Sequence, residues 1–281
     1  MATYREYFFK LRLEQFAHAF NDRVIYAVLM DVSNYSFFDL TKNFDEEVKN
    51  EEKLNDIINE ILTGKPYEYV LGKCLFHGHD YYVNENVLIP RPETEELVDI
   101  VIKKINNLNA NHKLNVLDMC SGSGVIGIEI KLNTTANVDL VDISSDANEV
   151  AIRNAELHKT NVGIYESDLF SNLPTKKYDV IVSNPPYIKG EERVDSKVLK
   201  YEPHLALFAS PQTKFYEEIF KAKDNYFMDQ TLLAFEIDDD MVNELDELVH
   251  KYFDNDVNYE FVKDIYGLTR YLFINYDKHG K

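Results

Sequence analysis

Cysteine is scarce: Cys74 and Cys120 are the only two in 281 residues. Two cysteines cannot build a disulfide framework, and neither sits in a C-x-x-C pair. No H-E-x-x-H stretch occurs, and His77 and His79 of "FHGHDYY" stand as a polar turn between two short strands, so no metal site is expected. Apolar runs are short as well. None approaches the roughly 18 residues that span a bilayer, and the opening "MATYREYFFKLRLEQF" interrupts each run with charge before a signal-peptide core forms. Positive charge is the third deficit, with 30 Lys and Arg against 49 Asp and Glu, a formal net charge of -19. Such a surface repels a phosphate backbone unless a local basic patch overrides it, which disfavours nucleic acid as a direct partner. A cytoplasmic protein in a reducing compartment is expected, with no membrane partner and a monomer as the default state.

What is present reads as globular. Hydrophobic residues make up 45% and charged residues 28%, enough apolar material for one large or two unequal domains. Through residues 4 to 71, apolar side chains recur at three and four (Phe16, Phe20, Val24, Ala27, then Leu54, Ile57, Ile58, Ile61), the spacing of helices. "CLFHGHDYYVNENVLIP" alternates and predicts a hairpin, and "ETEELVDIVIKKINNL" predicts a helix with acids in its first turn. Thereafter strands alternate with helical patterns: "LNVLDM", a helix from Val125, "ANVDLVD", a helix from Ser145, "NVGIYE", "YDVIVSN". Two last strands, "YEFVKDI" and "TRYLFINY", close the chain. This rhythm implies βαβ units and a doubly wound, Rossmann-like α/β sheet covered on both faces. The expected division is a helical domain over 1–72, a hairpin linker over 73–92 and the α/β domain over 93–281.

At the end of the first strand of that domain, "LDMCSGSGVIGIEI" places Gly122, Gly124 and Gly127 as G-x-G-x-x-G where a strand turns into a helix. Bare backbone there passes close to a ligand, beside unpaired N–H groups of the helix start. Twenty residues on, Asp142 ends the second strand, placed to accept ribose hydroxyls. A nucleoside-containing cofactor follows, either NAD or S-adenosylmethionine (SAM). "SNPPYI" then separates them. Pro185 forces Asn184 into an extended conformation, and the two prolines, Pro185 and Pro186, stiffen a loop that presents the Asn184 side-chain oxygen and the Pro185 carbonyl beside the flat face of Tyr187. Two acceptors and an aromatic wall suit a planar group bearing NH₂, whose delocalised lone pair needs such positioning before it attacks a methyl donor. Hydride transfer from NAD needs nothing of this kind.

Taken with "LDMCSGSG" and "VDIS", "SNPPYI" resembles the amino-methyltransferases acting on planar nitrogens. Residues 64 to 98, "GKPYEYVLGKCLFHGHDYYVNENVLIPRPETEELV", are similar to the HemK/PrmC family, which methylates the glutamine of the Gly-Gly-Gln motif in peptide chain release factors. "YEPHLAL" and "ESDLF" resemble further elements of that family. The resemblance implies that Cys120, Ser121, Gly122, Ser123 and Gly124 line the methionine and ribose part of SAM, with Asp118 just before them. It also implies that Asp142 holds the ribose, that Asp168 and Leu169 lie near the adenine, and that Asn184, Pro185, Pro186 and Tyr187 hold the glutamine. The N-terminal helices would dock the release factor.

Several positions depart from the family pattern. Cys120 stands where glycine is usual, Leu169 replaces a frequent aromatic, no glycine-rich stretch follows "YEPHLAL", and "FEIDDDM" carries acids in place of glycine and glutamine. Glu236 and Asp238 are expected in a solvated acidic loop, and no general base is nominated. The alternatives are glutamine methylation of a ribosomal protein, DNA adenine N6-methylation, an NAD-dependent oxidoreductase and a non-catalytic SAM-binding module. The acidic balance argues against DNA.

Overall fold

The computed structural model describes residues 2–108, 110–253 and 257–279. The chain divides into two compact units, Met1–Lys73 with Ser196–Tyr201, and Cys74–Asp195 with Glu202–Lys281.

The first unit is helical: α1 (Tyr4–Leu11), α2 (Asp22–Ser33), α3 (Phe37–Lys42), α4 (Glu51–Leu62) and α5 (Tyr67–Leu71). The starts of α1 to α4 are written in the local sequence. Thr3 and Glu6 form a reciprocal capping box on α1, and Asn21, Ser36 and Asn50 cap α2, α3 and α4, satisfying N–H groups that the helix itself leaves open. Phe20, Val24, Leu54, Ile57, Ile58 and Ile61 lie in the interior of this unit, as their spacing predicts, joined there by Ile25 and Leu29, whereas Phe16 sits in a single 3₁₀ turn and is only partly buried. A later segment belongs here too. Within this unit, the Tyr201 hydroxyl donates to the Thr63 carbonyl at 3.1 Å and the Lys197 ammonium to the His18 carbonyl at 3.3 Å.

The second unit opens with the hairpin β1 (Cys74–Phe76) and β2 (His79–Tyr81), followed by α6 (Pro92–Asn107). Then come β3 (Asn115–Met119), α7 (Val125–Asn133), β4 (Asn137–Asp142), α8 (Ser145–Leu157), β5 (Gly163–Glu166) and β6 (Tyr178–Ser183). After the short helix α9 (Ser196–Tyr201) of the first unit, α10 (Lys214–Lys221), α11 (Lys223–Tyr226), β7 (Phe227–Glu236), α12 (Val242–Tyr252), β8 (Asn258–Lys263) and β9 (Thr269–Asp277) complete the chain.

Seven strands make one sheet in the order β5-β4-β3-β6-β7-β9-β8, apolar on both faces. Strands β3 to β7 are parallel to one another, while β9 runs antiparallel to both β7 and β8. Residues 264 to 268 between β8 and β9 leave no room for the crossover helix that parallel neighbours need, so a hairpin forms instead. From β3 the chain moves outward through β4 and β5, then returns to the other side of β3 with β6. The reversal opens a crevice above the carboxyl ends of β3 and β6, where open α/β sheets bind ligands.

Candidate active site

Met119 at the end of β3 pairs with Ser183 at the end of β6, so the glycine turn and the Asn-Pro-Pro-Tyr loop leave the sheet side by side. The turn is stitched by Ser121 N–H to Val141 O at 3.0 Å and Gly124 N–H to Ser121 O at 2.7 Å. A Cβ on Gly124 would lie 2.7 Å from Leu140 Cδ2, and one on Gly127 would lie 2.9 Å from Leu140 Cδ1, so both glycines allow α7 to pack close to β4. Cys120 takes a left-handed φ of 61°, the conformation for which glycine is the usual residue. Asp118 lies wholly buried under the turn, its Oδ2 accepting from Gly127 N–H at 2.9 Å while its Oδ1 has no hydrogen-bond partner among the described residues. Burial pushes this carboxyl up to about 8.

Asp142 ends β4 facing the turn. Its Oδ2 accepts from Gly122 N–H at 2.8 Å and its Oδ1 from Ser144 N–H at 2.9 Å, which fixes the carboxylate and leaves its other lone pairs toward the cleft. Burial raises its pKa above the ordinary carboxylate value, opposed by the N–H groups of Ser144 and Gly122.

A cleft of about 230 Å³ is walled by Cys120, Ser121, Gly122, Ser123, Asp142, Asp168, Asn184 and Pro186. Asp118, Gly124 and Pro185 are buried, and Leu169 and Tyr187 pack, partly buried, with Cys120 against one apolar cluster of the sheet. The Ser121 hydroxyl is buried without a partner among the described residues. Bare glycine backbone, that unpaired hydroxyl and a fixed carboxylate together fit the amino-acid and ribose parts of SAM.

Opposite the turn, Asn184 Nδ2 donates to Thr94 Oγ1 at 3.2 Å, and the Thr94 hydroxyl donates to Glu236 Oε2 at 2.7 Å. The Tyr187 hydroxyl donates to Glu236 Oε1 at 3.1 Å. Glu236 is only 3% exposed, which corrects its expected place in a solvated loop: it ends β7 under the site, behind Asn184 and Tyr187. Burial raises its pKa, while Thr94, Tyr187 and the Arg270 guanidinium pull the other way. Asp238 is partly exposed and pairs with Arg193, as does Asp240, and Asp239 accepts from Thr269 N–H. The acids of "FEIDDDM" thus hold the loops around β7.

Sequence reasoning also missed Arg91 and Glu202. Their side chains meet at 2.6 Å, and Glu202 Oε2 accepts from Ile89 N–H at 3.2 Å, tying the "IPRP" wall of the cleft to the wall at Pro203, Leu205 and Ala206. The readable signal was the position of Arg91, Thr94 and Glu202 inside the family-like stretches "IPRPETE" and "YEPHLAL".

Residues 101–201 match the family model "Methyltransferase small domain". A release factor glutamine methyltransferase of Flavobacterium psychrophilum is 37% identical over 226 residues, covering 78% of this chain and 79% of the relative. One from Streptococcus pneumoniae is 35% identical over 255 residues, covering 88% and 89%. Among solved structures, the Thermus thermophilus 16S rRNA N2 G1207 methyltransferase in complex with AdoMet and guanosine shares the fold. Its TM-score is 0.54 at 14% identity, over 73% of this chain and 49% of that one. With a SAM-methyltransferase sheet, a cleft at its switch point and relatives of this identity along most of its length, the chain belongs to the release factor glutamine methyltransferases.

Proposed function

We propose that the protein transfers a methyl group from SAM to the side-chain amide nitrogen, N5, of the glutamine in the Gly-Gly-Gln motif of a peptide chain release factor in the cytoplasm. The observation that carries this reading is the junction of β3 and β6, where Asp142 and Asn184 wall one cleft. SAM, when bound, supplies an electrophilic methyl on a sulfonium. The residues of this chain do the positioning. Asp142 accepts the ribose hydroxyls, residues 120 to 124 cradle the methionine part, and Asp168 stands on the adenine side. The Asn184 side-chain oxygen and the Pro185 carbonyl accept the two N–H groups of the substrate amide, orienting its nitrogen so that the lone pair faces the methyl. After attack the nitrogen sheds a proton to water, so no general base is needed. The helical unit docks the release factor; Phe9, Leu13, Phe37 and Phe38 are exposed on it, apolar side chains that such docking would cover.

The test is a kinetic split. Asn184→Ala is expected to lower kcat on a release factor by about 10²- to 10³-fold, the scale for losing a positioned polar contact, with SAM affinity nearly unchanged. Asp142→Ala is expected to weaken SAM binding instead. Loss of SAM affinity alone in both variants would refute the assignment of Asn184 to the substrate amide.

A further inference from the structure

Asn184 has an amide whose two ends differ chemically, and only the oxygen end serves a substrate NH₂. Which end faces the cleft is decided by the groups behind it. The Glu236 carboxylate, buried at the end of β7, accepts hydrogen bonds at both oxygens, from Thr94 at 2.7 Å and from Tyr187 at 3.1 Å. An ionised carboxylate has no proton to give, and a hydroxyl has only one. Once the Thr94 proton points at Glu236, Thr94 Oγ1 can only accept. Its other neighbour is Asn184, at 3.2 Å, which must therefore present NH₂ to Thr94 and turn its oxygen the other way.

From this geometry we infer that Thr94 and Glu236 form a polarity relay that locks the Asn184 amide with its oxygen toward the substrate. Both are positioning residues: neither touches the reacting atoms, and both act through Asn184. The relay rests on the reading of Asn184 as acceptor for a substrate amide and deepens it. Without the relay the buried NH₂ has no acceptor, so the Asn184 amide, whose nitrogen and oxygen are nearly the same size, turns by half a turn and in most molecules presents NH₂ to the substrate NH₂. The same carboxylate fixes Tyr187 through its hydroxyl, so a single buried group orients two members of the loop after β6. Thr94 stands at the start of α6 and Glu236 at the end of β7, so the lock is held by two regular elements and not by the loop itself.

The test measures methyl transfer to a release factor carrying Gly-Gly-Gln, with SAM affinity and melting temperature recorded for each protein. Thr94→Val keeps the shape and removes the hydroxyl; kcat is expected to fall about 10- to 100-fold with SAM affinity close to the parent, and the melting temperature to drop by several degrees because Glu236 loses a buried partner. Thr94→Ser restores the hydroxyl and is expected to return kcat to within about threefold of the parent. Glu236→Gln, which places a donor where the carboxylate had none, is expected to lower kcat as Thr94→Val does. Full activity in Thr94→Val, or equal loss in Thr94→Ser and Thr94→Val, overturns the relay while leaving the proposed reaction standing. Failure of the parent protein to methylate the factor overturns the reaction and the relay together.

Discussion

Single residues carry the site because each stands where the backbone admits little choice. Gly124 combines a φ of 79° with a Cβ position 2.7 Å from Leu140 and 3.1 Å from Ala151. Gly124→Ala is therefore expected to destabilise the fold by about 1–3 kcal/mol, the cost of a strained φ and overpacking, and to weaken SAM binding. Thermal melting with and without SAM checks this, and an unchanged melting temperature would contradict it. The places at the cleft of Asp142, which ends β4, and Asn184, which follows β6, were legible because each sits in a recognisable local pattern. Thr94 and Glu236 were not: their hydrogen bond joins positions 142 apart, and nothing in "FEIDDD" distinguishes a buried acid from its solvated neighbours. Their pairing exists only once α6 and β7 are folded together.

At the scale of elements, the hairpin of β1 and β2 is held to α7 by a buried carboxylate. Glu129, on α7, meets His77 Nδ1 at 3.2 Å, His79 Nδ1 at 2.8 Å and the Tyr81 hydroxyl at 2.6 Å. His77 also meets Asp99 of α6 at 2.9 Å. Burial alone would lower the His77 pKa, but the hydrogen bond to Asp99 and the charges of Glu129, Asp99 and Glu95 leave it raised above 6.5. A raised folded value means that the charged histidine stabilises the native state below the ordinary value and that this contribution is lost as pH rises through the folded value. The melting temperature of His77→Asn is thus expected to fall furthest below that of the parent at pH under about 6.5, with the gap narrowing at alkaline pH. A gap that stays constant or widens with pH would contradict the clamp. The hairpin was readable from its alternation, and its turn at His77 and Gly78 takes the expected place. Its tie to α7 was not, since "GVIGIEIKLN" gives no sign that one glutamate faces inward. The antiparallel β9 was likewise hidden, because "YEFVKDI" and "TRYLFINY" look alike in either direction.

Over the whole molecule, the order of strands and helices in the second unit was legible from the alternation of period two and period three to four. The membership of Ser196–Tyr201 in the helical unit was not, because six residues are too short to show a face. The net charge of -19 favours a protein substrate over a phosphate backbone. Among the described residues no helix is long and apolar enough to cross a membrane. The most direct test of the account is one methyl-transfer assay with labelled SAM, offering a release factor with Gly-Gly-Gln, the same factor with Gly-Gly-Ala, and duplex DNA. The account predicts label on the intact factor alone. Label on the Gly-Gly-Ala factor at the same level, or on DNA, would contradict it.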